Sequence, residues 1–167
     1  MSEFVKIVEV GPRDGLQNEK TPLTLEQRKA LILDLMKTGL KSIEVGSCVS
    51  AKWVPQMAQS DVLFAELPKD PNIQFSLLTP NIKGFESARA VGCQEVAVFT
   101  AASESFTQKN INCSIDESLE KFSDVMAAAK ASNIKVRGYV SCMVDCPYEG
   151  AIDPQRVANV SKRLLDM

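Results

Sequence analysis

The chain has 167 residues, 45% hydrophobic and 24% charged, with a net charge of -2; this is the composition of an ordinary globular domain with enough apolar material for a sizeable core. Length predicts one domain over 1–167, and the mild acidity with dispersed Lys and Arg excludes a nucleic-acid surface, which would show as a dominant basic patch. No apolar run reaches the roughly 18–20 residues needed to span a bilayer, and a strand pattern already begins at residue 4, so we expect a cytoplasmic protein without membrane contact.

In chain order, the apolar run 4–10 (FVKIVEV) predicts a first strand, which breaks at Gly11 and Pro12 into a turn presenting Arg13, Asp14, Gln17 and Asn18 together. Thr24 caps the helix LEQRKALILDLMKT, with Gln27 placed for a capping box and Gly39 beyond its end. Strand 42–46 (SIEVG) follows, then a weaker helix near 57–67 and a strand at 73–78. A helix over about 82–91 stops at Gly92 and leads to strand 94–99. The segment 100–113 reads as a long functional loop, because it exceeds the usual connection of about 4–6 residues. Ser114 and Glu117 open a capped helix, strand 134–140 follows, and Asp153 with Pro154 starts the last helix.

Five consecutive βα units imply an α/β fold with a parallel sheet covered by helices. Two architectures fit: an incomplete TIM (β/α)8 barrel, or an open doubly wound sheet. An open nucleotide-binding sheet usually carries a short Gly-rich first turn, which GPRDGLQNEK is not, so the barrel is favoured.

Side-chain alternation places Ser42 and Glu44 on one strand face, opposite Ile43 and Val45. It likewise sets Glu9 against Val8 and Val10, and Arg137 with Tyr139 against Val136 and Val140. An isolated buried charge costs several kcal/mol, so we expect an ion-pair network joining Glu9, Glu44 and Arg137 with Arg13; solvation of some of these charges at an exposed edge is the alternative. Five cysteines, an odd number, suit free thiols rather than a disulfide framework. Cys142 and Cys146 are four apart, but a zinc site would need two further ligands, and there is no histidine in the chain.

The segments VGPRDGLQNEK, SIEVGSCVSAKWVPQM, LTPNIKGFESA, AASESFTQKNINCSIDES and VRGYVSCMVDCPYEG, in this order over nearly the whole chain, resemble the hydroxymethylglutaryl-CoA lyase family. The resemblance implies the N-terminal part of a TIM-barrel lyase that uses a divalent metal, Mg2+ or Mn2+. Its substrate would be 3-hydroxy-3-methylglutaryl-CoA, cleaved to acetyl-CoA and acetoacetate in leucine degradation and ketone-body metabolism, and the complete enzyme would be a homodimer. By position, the resemblance makes Arg13 and Glu44 catalytic and Asp14 a metal ligand. It makes Arg13, Gln17, Lys20, Asn110, Arg137 and Tyr139 substrate-binding. The family's other metal ligands, a His-x-His pair and an asparagine, and its catalytic cysteine in a glycine-rich loop have no counterpart here, and Cys142 and Cys146 do not match that loop. The implied behaviour is that of a fragment inactive alone; a non-catalytic acyl-CoA-binding module and a related acyl-CoA or 2-oxo acid lyase or synthase are the alternatives.

Overall fold

The computed structural model describes residues 4–167. Four strands, β1 (Ser42–Ser47), β2 (Gln74–Leu78), β3 (Glu95–Ala101) and β4 (Lys135–Ser141), form a parallel sheet in that order. Helices α1 (Leu25–Met36), α2 (Ser60–Glu66), α3 (Ile82–Ala90), α4 (Glu104–Ile111), α5 (Ile115–Ser132) and α6 (Pro154–Leu165) alternate with them. Consecutive strands that are neighbours with a helix between each pair are the βα succession expected from the sequence. The chain divides into two compact units: residues 4–79 with 83–96, and residues 80–82 with 97–167.

In the first unit, β1 is buried along its whole length, so both of its faces are covered and it reads as an internal parallel strand. Ile43 and Val45, fully buried, belong to a core with Ile32, Leu63, Leu77 and Phe85. Phe64 and Phe75 meet edge-on with centroids 6.4 Å apart. α1 carries the expected reciprocal cap: Thr24 Oγ1 accepts from the Gln27 N–H and the Gln27 side chain accepts from the Thr24 N–H. Gly39 and Gly92 both have positive φ (88° and 80°) where the chain leaves a helix, as their placement at helix ends required.

In the second unit, α5 buries Ile115, Leu119, Phe122, Val125 and Ala129, one stripe at helical spacing, and the Ser114–Glu117 capping box forms as expected. Thr100 and Ser118 share a buried hydroxyl–hydroxyl hydrogen bond of 2.8 Å between β3 and α5. Asp153 caps α6, accepting from the Gln155 N–H at 2.9 Å, with Pro154 in the first turn.

Three expectations are corrected. The strand at 4–10 is reduced to one parallel bridge, Glu9 with Ile43, and Phe4, Val5 and Ile7 stand 93%, 76% and 70% exposed. Its composition is that of a strand, but only Glu9 finds ladder partners, giving its N–H to Ser42 O and taking the Glu44 N–H on its carbonyl. The segment 100–113 is no open loop, because Ser103 accepts from the Phe106 N–H and starts α4, which ends on Asn112 at φ 52°. The helix near 57–67 is split into a short 3-10 turn, Pro55–Met57, and α2, with Gln59 left-handed (φ 57°) between them.

Candidate active site around Arg13

Val10 leads into a π-helical turn, Gly11–Gly15, in which the N–H groups of Arg13 and Asp14 both point to the Val10 carbonyl, at 3.0 and 2.7 Å. A single wide turn of this kind displaces side chains from ordinary helical directions and recurs at functional sites. The Gly11 N–H donates to Glu9 Oε1 at 2.6 Å, and a Cβ at this position would lie 2.8 Å from that oxygen, at the flexible end of the Glu9 side chain. Pro12 is buried and anchors the turn.

The turn aims Arg13 at β1. Its Nε donates to Glu44 Oε1 at 2.5 Å and its Nη1 to Asp14 Oδ1 at 2.6 Å. Glu44 is fully buried, the Arg13 side chain is 11% exposed and the Asp14 side chain 59% exposed, so the guanidinium bridges an internal carboxylate and one open to solvent. Glu44 lies opposite Ser76 of β2, and just beyond it the register slips, with Gly46 next opposite Leu77. A bulge at that point re-aims side chains and is a common feature beside active sites. The expected network therefore holds in its Arg13–Glu44 part, and solvation at an edge is ruled out for Glu44, while Glu9 serves the Gly11 N–H.

Gln17 is half-buried and Lys20 exposed on the stretch that follows the π turn. Asn18 Nδ2 closes that stretch onto the Asp14 carbonyl at 2.9 Å, and Gln56 Nε2 ties it down at the Glu19 carbonyl, also 2.9 Å. In the second unit, Arg137 and Tyr139 lie on β4, half-buried and two residues apart on one strand face, and Asn110 is exposed near the end of α4.

Two structural devices beside these residues escaped the sequence reading. Arg28 of α1 is 3% exposed and donates to Ala58 O at 2.7 Å and Ser60 Oγ at 2.9 Å; Ser60 Oγ also accepts from the Ser47 N–H at 3.1 Å. Burial lowers the Arg28 pKa from its ordinary value. Its signal was a cation four residues before Ile32, on the face of α1 that is buried. The second is Glu149, whose carboxylate takes the Ser105 N–H at 2.7 Å, Ser103 Oγ at 2.9 Å and Arg156 Nη1 at 2.8 Å. These donors, led by the Ser105 N–H and then Arg156 and Ser103, hold it down to about 2. No local pattern announces Glu149, since it acts on the start of α4, 44 residues earlier.

No group of three His, Cys, Asp or Glu side chains that could hold a metal ion occurs among the described residues. Asp14 offers one carboxylate, and one of its oxygens already accepts from Arg13.

A family model described as HMGL-like matches residues 4–167. The chain belongs to that family. It is 54% identical to a hydroxymethylglutaryl-CoA lyase of Pseudomonas mevalonii, over 99% of this chain and 55% of that protein. The crystal structure of hydroxymethylglutaryl-CoA lyase from Pseudomonas aeruginosa superposes with a TM-score of 0.93 at 54% identity, covering 97% of this chain and 54% of the other. An HMG-CoA lyase of Acinetobacter baumannii, in complex with coenzyme A and 3-methylmalate, superposes at 0.92 with 28% identity, over 99% and 55% of the two chains. The chain thus spans about half the length of the relatives it matches. The solved family members are TIM barrels, so the parallel βα succession seen here is an incomplete barrel, and the doubly wound alternative is set aside.

Proposed function

We propose that this chain is the N-terminal portion of a single TIM-barrel domain whose whole protein is a hydroxymethylglutaryl-CoA lyase, cleaving 3-hydroxy-3-methylglutaryl-CoA to acetyl-CoA and acetoacetate. The observation that carries the reading is the Arg13 guanidinium, pinned between buried Glu44 and exposed Asp14 in the turn that follows the Glu9–Ile43 bridge. The cleavage breaks a carbon–carbon bond beside a thioester and moves an electron pair onto the thioester oxygen, forming an enolate. A permanently cationic, planar donor beside that oxygen stabilises charge that is absent from the ground state. Glu44 and Asp14 fix the orientation of the guanidinium before the substrate arrives, so little reorganisation is needed as the bond breaks. Gln17, Lys20, Asn110, Arg137 and Tyr139 are assigned to binding the acyl-CoA, and Glu44 is the group that holds Arg13 in its catalytic pose.

The family uses a divalent cation, Mg2+ or Mn2+, and Asp14 is its ligand in this reading. The other described residues do not complete a metal site around Asp14, so no step is derived through the ion. We assign the whole protein to the cytoplasm as a homodimer; relatives from mouse and chicken are named cytoplasmic and mitochondrial respectively. No helix among the described residues is long and apolar enough to cross a membrane.

The test is the intact protein carrying Arg13→Gln, assayed for acetoacetate release. Loss of one preorganised donor costs roughly 3–4 kcal/mol, so kcat should fall about a hundredfold or more with a smaller change in KM. Turnover equal to wild type would remove Arg13 from the mechanism. One observation favours a second reading: a relative from Pseudomonas aeruginosa, 54% identical, is named a 3-hydroxy-3-isohexenylglutaryl-CoA/hydroxymethylglutaryl-CoA lyase. A longer acyl chain on the same 3-hydroxyglutaryl core is therefore the alternative substrate, and comparing kcat/KM for the two thioesters decides between them.

A further inference from the structure

Gln56, which the lyase reading leaves without a role, reaches the strip of chain that carries Gln17 and Lys20. Beyond the π turn, Asn18 donates its N–H to Gly15 O and Glu19 donates its N–H to Leu16 O, both at 3.2 Å, which is local bonding only. Among the described residues, the one hydrogen bond that joins 16–23 to another segment runs from Gln56 Nε2 to Glu19 O, 2.9 Å long and 37 residues away in sequence. Residues 18–22 are all exposed, so burial does little to hold them in place.

Gln56 is itself held from behind. It is half-buried in the middle of the 3-10 turn Pro55–Met57, where the Met57 N–H donates to Val54 O at 3.0 Å and the Ala58 N–H to Pro55 O at 3.1 Å. The two carbonyls that follow Gln56 are both taken from inside the protein: Ser60 Oγ donates to Met57 O and Arg28 Nη1 to Ala58 O, each at 2.7 Å. Arg28 makes no ion pair among the described residues, and its remaining hydrogen bond goes to Ser60 Oγ at 2.9 Å. The buried cation of α1 therefore secures the turn from which Gln56 projects, and the direction of the amide is set before any ligand arrives.

We propose that Gln56 is a positioning residue for acyl-CoA binding: its side-chain N–H fixes the Glu19 carbonyl and thereby sets Gln17 and Lys20, on either side of it, in their binding poses. The inference rests on the assignment of Gln17 and Lys20 to the acyl-CoA. Gln56 acts on the strip through its backbone, so it touches no reacting atom. Arg13 is held separately, by Glu44, by Asp14 and by the bonds of the π turn to Val10 O. Releasing the clamp therefore loosens groups that bind substrate and transition state alike and leaves the guanidinium aimed, which raises KM and preserves kcat. The net worth of one hydrogen bond of this kind corresponds to about a three- to tenfold change in binding. A strip fixed in advance also spares the ligand the task of ordering it on association.

The experiment compares the intact wild-type protein with Gln56→Met, which keeps the length of the side chain and removes its donor. Acetoacetate release from 3-hydroxy-3-methylglutaryl-CoA, calorimetric titration with coenzyme A, and hydrogen–deuterium exchange of peptides covering 14–23 are measured on both. KM and the coenzyme A dissociation constant should each rise about three- to tenfold while kcat changes less than about twofold. The Asn18 and Glu19 amides should exchange faster, because the turn that protects them has lost its tie to the rest of the chain. With Gln17→Ala and Lys20→Met already in place, Gln56→Met should change KM by less than about twofold, since it acts through those two side chains. The proposal is overturned if KM, the dissociation constant or the two exchange rates match wild type, if kcat falls as far as kcat/KM, or if Gln56→Met weakens binding equally in the doubly substituted background. Coenzyme A binding without turnover by the wild type would sink the lyase reading and leave this proposal to be decided by the titration. A wild type that neither turns over nor binds coenzyme A would end both.

Discussion

Replacing Arg13 tests the stability side of the site separately from its chemistry. Glu44 is fully enclosed and Arg13 nearly so, with 2.5 Å between Nε and Oε1, so Arg13→Gln leaves a carboxylate inside the protein without its guanidinium. Breaking a buried ion pair from one side costs about 3–5 kcal/mol, because the remaining charge keeps its desolvation penalty and loses its compensation. For a chain of this size a urea m-value of about 2 kcal/mol/M turns that loss into a midpoint shift of about 1.5–2.5 M. Urea titration followed by far-UV circular dichroism gives the number, and the double variant Arg13→Gln/Glu44→Gln completes the cycle. Removing both charges should recover more than half of the loss, since two neutral amides carry no ionic desolvation. A single-variant loss below about 1 kcal/mol, or a double variant whose loss is the sum of the two singles within about 0.5 kcal/mol, would refute the coupling.

Gly46→Ala should destabilise by about 1–3 kcal/mol, read by the same urea titration, because the added Cβ meets Ser60 Oγ and Cβ and lies 3.0 Å from Arg28 Nη2. Combining it with Ser60→Gly should return part of that loss, which no purely local effect at Gly46 would allow. Glu149 has its pKa depressed to about 2 from 4.5, so its contribution is complete above pH 4.5 and disappears as pH falls through 2. Glu149→Gln should therefore flatten the acid limb of a plot of melting temperature against pH, leaving the curve above neutrality parallel to wild type. Burial, then Asp61 and Cys93, pushes the Cys48 thiol to about 12 from 9. In the folded protein at pH 8, iodoacetamide should modify it about a thousandfold more slowly than an ordinary thiol, as timed alkylation with mass spectrometry would show.

Local signals sufficed wherever the chain states a boundary in a few residues. Thr24 with Gln27, Ser114 with Glu117, and Asp153 with Pro154 each opened the helix they announced, because a cap is satisfied within one turn and needs no tertiary partner. The strands at β1 to β4 were legible for a related reason: β-branched runs between capped helices leave few other places for a parallel ladder. Where the first run failed to become a strand, its composition was right but its pairing extended only to Glu9. Pairing belongs to two segments, so one segment cannot report it.

The sequence by itself determined the kind of layers this protein is made of and the cluster Arg13-Asp14 at the end of the first apolar run. It also carried Glu44 as a charge on an otherwise apolar strand, and so the demand that something neutralise it. Only the tertiary structure decided that Arg13 answers that demand, across 31 residues of chain. It likewise decided that Glu149 fastens the start of α4. Caps and alternation are one-segment properties, encoded by neighbours a few residues apart; ion pairs and remote carboxylate anchors depend on where a turn aims a side chain after the chain has packed. A π turn in place of an α turn at Gly11–Gly15 changes that aim while leaving composition and spacing unaltered.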